Sequence, residues 1–253
     1  MILPERSERF IRLFAFYNDK YLLPKHLHAV AVQGSLVPET SNGPSLYIMN
    51  HSSWWDGLLA FYAFTNLSAP GQEHYIMMDE KQLSKFRFFR KLGAFSVDKT
   101  SLRGVLESLD FAEKLLRAGH HVWIYPQGDI RHQEARPMSF QSGVGYLLER
   151  CGNAIVKPVT VYYALGQEQK PIATLCFGKE RSEDWAGMGR RGATEGLRLC
   201  LERQLDEHRA SSIAADGGVM NGYRVMVRGS GSTSERFDGF KRRMGRWFSF
   251  FGS

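Results

Sequence analysis

A histidine and an aspartate stand five residues apart in Asn50-His51-Ser52-Ser53-Trp54-Trp55-Asp56. An imidazole oriented by a carboxylate can take the proton of a hydroxyl while that hydroxyl attacks an acyl group. In a continuous helix a five-residue step turns about 500°, roughly 140° off the starting face, so the two side chains meet only where His51 precedes the helix. The local pattern fits this, because Ser53 is a natural N-cap and Asp56 then falls at the third helical position, close to a capping box. An isolated pair of this kind more often caps a helix and packs a ring, so the surrounding residues must carry a functional reading.

Three further blocks do so. Tyr125-Pro126-Gln127-Gly128-Asp129-Ile130-Arg131 follows a buried strand, the place where open α/β sheets bind their ligands. Its Pro and Gly predict a sharp turn that presents backbone N–H groups, and Arg131 is a planar cation suited to an oxyanion. Leu92-Gly93-Ala94-Phe95-Ser96-Val97-Asp98-Lys99 is a short strand ending in a cation, and Val156-Lys157-Pro158-Val159-Thr160 lies in a later strand.

In this order the four blocks resemble the glycerolipid acyltransferase family typified by bacterial 1-acylglycerol-3-phosphate acyltransferase, over roughly His28 to Val161. The resemblance implies that His51 is the general base on the acceptor hydroxyl, that Asp56 orients it, and that Lys99, Gln127, Gly128 and Arg131 bind the acceptor. It implies acyl-CoA or acyl carrier protein as donor, a lysophospholipid or related lipid as acceptor, and no metal or other cofactor. The family pattern P-E-G-T-R is altered here: Gln127 replaces a carboxylate by an amide, Asp129 adds an acid two residues later, and Lys99 stands where arginine is common. These departures keep a phosphate-free acceptor, such as a glycolipid or a glycosylated isoprenoid, as the alternative.

The elements that must hold these residues read as alternating strands and helices. Strands are expected at 28–33, 45–49, 74–78, 121–125, 155–163 and 172–177, and helices at 54–66, 81–91, 102–118, 140–151 and 195–207. This is an α/β fold: one domain, with a mixed, largely parallel central sheet flanked by helices. Phe10, Leu13, Phe14, Tyr17 and Tyr21 recur at helical spacing in an amphipathic N-terminal helix over 1–27, ended by Pro24. The acyltransferase domain is expected over 28–215. Residues 216–253 read as a Gly/Ser-rich tether followed by a second amphipathic helix, with Phe237, Phe240, Met244, Trp247, Phe248 and Phe251 on one stripe beside Lys241, Arg242, Arg243 and Arg246.

Lys and Arg number 33 against 26 Asp and Glu, a formal charge of +7 in 253 residues. That excess suits an anionic membrane surface, an anionic substrate or nucleic acid. A nucleic-acid-binding protein is the rival from another class, but its aromatics would line a groove or sheet rather than a helical stripe. The first ten residues carry charges where a signal peptide needs an apolar run, and no stretch holds the ~18 apolar residues of a membrane span. We therefore expect a cytoplasmic protein, peripherally associated with the inner face of the membrane, with no nucleic-acid partner.

Overall fold

The computed structural model describes residues 1–38, 44–152 and 154–229. The C-terminal amphipathic helix expected over Phe237 to Phe251 lies outside the described residues. An eight-stranded sheet runs through the molecule in the order β4-β3-β5-β2-β6-β7-β1-β8. Its strands are β1 (Ala29–Gln33), β2 (Ser45–Met49), β3 (His74–Asp79), β4 (Ala94–Val97), β5 (His121–Ile124), β6 (Ile155–Ala164), β7 (Ile172–Phe177) and β8 (Arg224–Arg228). Pairings β4–β3, β3–β5, β5–β2, β2–β6 and β7–β1 are parallel; β6–β7 and β1–β8 are antiparallel.

β2 shows why the sheet is sandwiched. All five of its residues are buried, as a central parallel strand requires. Successive side chains point to opposite faces, so Tyr47 and Met49 join one apolar core and Leu46 and Ile48 the other. The first core is closed by α1 (Glu8–Tyr17), α2 (Leu23–His26), α3 (Asp56–Asn66) and α4 (Glu80–Lys85). α3 is apolar nearly all round, with eight buried residues, which marks a helix covered on every side rather than a surface one. The second core is closed by α5 (Leu102–Arg117), α6 (Gly143–Arg150) and α7 (Trp185–Ala214).

Four local expectations are corrected. Pro24 does not end the N-terminal helix: it sits in the first turn of α2, after a π-helical turn over Asn18–Leu22. The widened turn absorbs the ring and the missing N–H that would break regular α-helix. The basic helix expected over 81–91 is split into α4 and a 3-10 turn, Arg87–Leu92, which Gly93 closes in a left-handed conformation. The last helix is longer than 195–207, running through a kink at Gly189. Part of the stretch read as tether is β8, whose residues pair with β1 at the sheet edge.

Candidate active site

Because β2, β3, β4 and β5 run parallel, their carboxyl ends lie on one edge, and the residues that follow them are neighbours there. His51 comes after β2, Gln127 to Arg131 after β5, Asp79 closes β3 and Lys99 follows β4. Such an edge is the expected ligand site of an open α/β sheet.

The chain leaves β2 at Asn50, whose side chain continues the ladder. Its Oδ1 accepts from the Val161 N–H at 2.8 Å and its Nδ2 donates to the Val161 carbonyl at 3.0 Å. This pins the strand end to β6 while freeing the next residue to turn out of the sheet. The His51 N–H donates to Gln127 Oε1 at 2.6 Å, the His51 carbonyl accepts from the Arg131 N–H at 2.8 Å, and the imidazole stacks on Tyr125 with centroids 4.3 Å apart. The histidine is thus held through its backbone and one ring face.

His51 Nδ1 lies 2.8 Å from Asp56 Oδ2, so the two residues meet as the spacing argument requires. The same Oδ2 accepts from the N–H groups of Ser52 at 2.6 Å and Ser53 at 2.9 Å, and Oδ1 accepts from the Tyr163 hydroxyl at 2.6 Å. The Asp56 side chain is fully buried, whereas His51 keeps 21% of its surface. A buried carboxylate needs donors to offset its lost hydration, and this one has four. Because a carboxylate only accepts, it holds the imidazole proton on Nδ1 and leaves the Nε2 lone pair for a substrate proton. Burial, with the Asp56 charge beside it, drives the Tyr163 phenol well above its ordinary range, keeping it a donor.

The expected capping box forms only in part: α3 opens at Asp56 with Trp55 as its cap and no side-chain cap bond, so Asp56 is its first residue and not its third. Ser53 Oγ accepts from the Trp55 N–H at 3.2 Å while Asp56 reaches back to the Ser53 N–H. A single 3-10 turn, Asp56 N–H to Ser53 carbonyl at 3.2 Å, then leads into α3. The shift aims the Asp56 carboxylate at residues 51–53.

Gly128 has φ +79°, and a Cβ there would press on Gln141 Cγ at 3.1 Å, so the turn requires glycine. The expectation that this turn offers free N–H groups fails for two of them. The Gly128 N–H is bonded to the Tyr125 carbonyl at 3.0 Å and the Arg131 N–H to His51. Gln127 is buried and engaged with the His51 backbone. Lys99 Nζ donates to Asp129 Oδ1 at 2.7 Å and the Gly128 carbonyl at 2.9 Å and pairs with Asp79 Oδ2 at 3.1 Å, and Arg131 reaches Asp129 Oδ2 at 3.7 Å. Bonding and charge from Lys99 hold the Asp129 carboxyl below its usual range. Sequence reasoning did not single out Tyr163, Asn50 or Asp79. Only the position of Tyr163, two residues beyond Val161 in β6, was available as a signal for it.

The Acyltransferase family profile matches residues 29–162 of this chain. The fold is that of the 1-acyl-sn-glycerophosphate (LPA) acyltransferase PlsC from Thermotoga maritima, with a TM-score of 0.55 and 17% identity over 80% of this chain and 79% of that one. No curated protein matches the sequence.

Proposed function

This chain belongs to the Acyltransferase family, and from that premise we propose that it moves a fatty acyl group from a thioester, acyl-CoA or acyl carrier protein, to a hydroxyl of a lipid acceptor, with His51 and Asp56 as the general-base pair. The observation that carries this reading is the buried Asp56 carboxylate at 2.8 Å from His51 Nδ1. His51 Nε2 takes the acceptor proton as the oxygen attacks the thioester carbonyl. Asp56 stabilises the imidazolium that results. The tetrahedral intermediate then expels the thiolate, which leaves as the thiol after receiving that proton from His51, and the products are an ester and a free thiol. No acyl-enzyme forms.

The proposed working location is an anionic, cytoplasmic membrane surface on which the protein is peripheral. Among the described residues no helix is long and apolar enough to cross a membrane. Support comes from the N-terminal segment, where Leu13, Phe16 and Tyr21 are 65%, 58% and 61% exposed beside the exposed Arg9, Arg12 and Lys20. Aromatic and aliphatic side chains enter the headgroup boundary, and each basic residue near an anionic leaflet adds ~1 kcal/mol.

The test is product analysis with purified protein, labelled acyl donor and a panel of lysolipids and glycolipids. We expect ester and free thiol in equal amounts, and a ~10²–10⁴-fold lower kcat in folded His51→Ala. Near-wild-type turnover in that variant would falsify the base assignment.

A further inference from the structure

We infer that the acceptor presents an uncharged, polyhydroxyl head group of the glycosyl class, and that Asp129 and Asp79 enforce this by occupying Lys99. The inference rests on the acyl-transfer reading above and specifies its acceptor.

An ammonium has three donor protons. Those of Lys99 have three acceptors close at hand: Asp129 Oδ1 at 2.7 Å, the Gly128 carbonyl at 2.9 Å and Asp79 Oδ2 at 3.1 Å. Arg131, a second cation of the edge, has Asp129 Oδ2 at 3.7 Å. Two cations and two carboxylates cancel, and Asp56, buried behind His51, adds a further negative charge. A phosphate arriving here would have to draw Lys99 away from its acceptors and then lie against Asp129, a like charge within a few ångströms. Asp129 lies two residues before Arg131, whose N–H is bonded to the His51 carbonyl at 2.8 Å, so the repulsion would act at the reacting end of the acceptor.

A sugar meets the same groups differently. Each hydroxyl donates and accepts, so it can give its proton to a carboxylate oxygen and take one from a cation without either charge being uncovered. Asp129 and Arg131 are 56% and 54% exposed, open for such bonds. The arrangement is built into the sheet: Asp79 ends β3, Lys99 follows β4 and Asp129 follows β5, three adjacent strands. Asp79 is also anchored through its other oxygen, which accepts from the N–H groups of Lys81 at 3.0 Å and Gln82 at 3.2 Å to cap α4.

The experiment uses the full chain with palmitoyl-CoA and palmitoyl-acyl carrier protein as donors, and dodecyl β-glucoside and 1-dodecylglycerol 3-phosphate as acceptors. We expect kcat/KM to favour the glucoside by tenfold or more. Asp129→Asn, and separately Asp79→Asn, in which the amide oxygen still caps α4, should each raise kcat/KM for the phosphate acceptor by about tenfold by releasing Lys99. A wild-type preference for the phosphate acceptor, or an unchanged preference in both variants, overturns the acceptor inference and leaves acyl transfer standing. Absence of His51-dependent transfer to either acceptor from either donor overturns the acyl-transfer reading, and this inference with it.

Discussion

Four donors converge on the Asp56 carboxylate, and their removal is expected to be graded. Asp56→Asn loses the charge that would stabilise an imidazolium and puts an NH₂ against donors, so we expect a fall in kcat of at least ~10²-fold together with lower stability. Tyr163→Phe removes one neutral donor from a buried charge. Hydrogen bonds to charged groups contribute about 1.5–3 kcal/mol, so urea unfolding of Tyr163→Phe should report a loss of that size, while kcat falls less than in Asp56→Asn. Equal stability of Tyr163→Phe and wild type would mean that this contact is absent in solution. Gln127 belongs at the same scale: replacing the family carboxylate by an amide keeps an oxygen for the His51 N–H and omits a second buried charge.

The N-terminal helix has two apolar faces that one stripe on a helical wheel runs together. Phe14 turns inward, with its ring 5.3 Å from Phe61 and 5.4 Å from Phe88, and Ile11 is buried. Leu13 and Phe16 turn outward, with Tyr17 and Tyr21. Substitutions on the two faces should therefore separate. Phe14→Ala leaves a partly filled hole in the packed face and should cost about 2–3 kcal/mol in unfolding free energy. The double variant Leu13→Ser, Phe16→Ser should unfold like wild type yet sediment less with anionic vesicles, in a salt-sensitive manner. If its vesicle binding is unchanged, the outward face of α1 is not the membrane contact.

For the molecule as a whole, three buried histidines bear on acid stability. His121 Nδ1 accepts from the Ser45 N–H at 3.1 Å, and His74 Nδ1 accepts from Trp123 Nε1 at 3.1 Å, so each ring has an unprotonated nitrogen in the folded state. His208 lies between the Thr160 and Thr174 hydroxyls at 2.9 and 2.8 Å. Burial lowers His121 and His208 to about 4, and lowers His74 well below its ordinary value, with the His121 charge adding to the effect. The folded state therefore binds fewer protons than the unfolded chain below pH ~6.5, and stability is lost as pH falls from there toward 4. Between pH 7.5 and 5 the loss is about 2 kcal/mol for each of His121 and His208. Urea midpoints at the two pH values should differ accordingly with an unchanged m-value; a flat midpoint would show that these rings are not held neutral.

Much of the architecture was legible in the chain because it rests on short-range rules. Short apolar runs between turn residues mark β2, β5 and β6, helical spacing marks α5, and Ser53 to Asp56 mark the turn into α3. The His51–Asp56 contact was readable for the same reason, since it spans five residues and one capping motif. Tyr163 on Asp56, Asn50 on Val161, Gln127 on His51 and Asp79 on Lys99 were not, because the two members of each pair lie on different strands, or on the loops and the helix start that follow them. Which strands become neighbours, and hence which side chains share the carboxyl edge, follows from the sheet order β4-β3-β5-β2-β6. That order results from burying two apolar faces at once, and the periodicity of any single segment is the same whichever strand lies beside it.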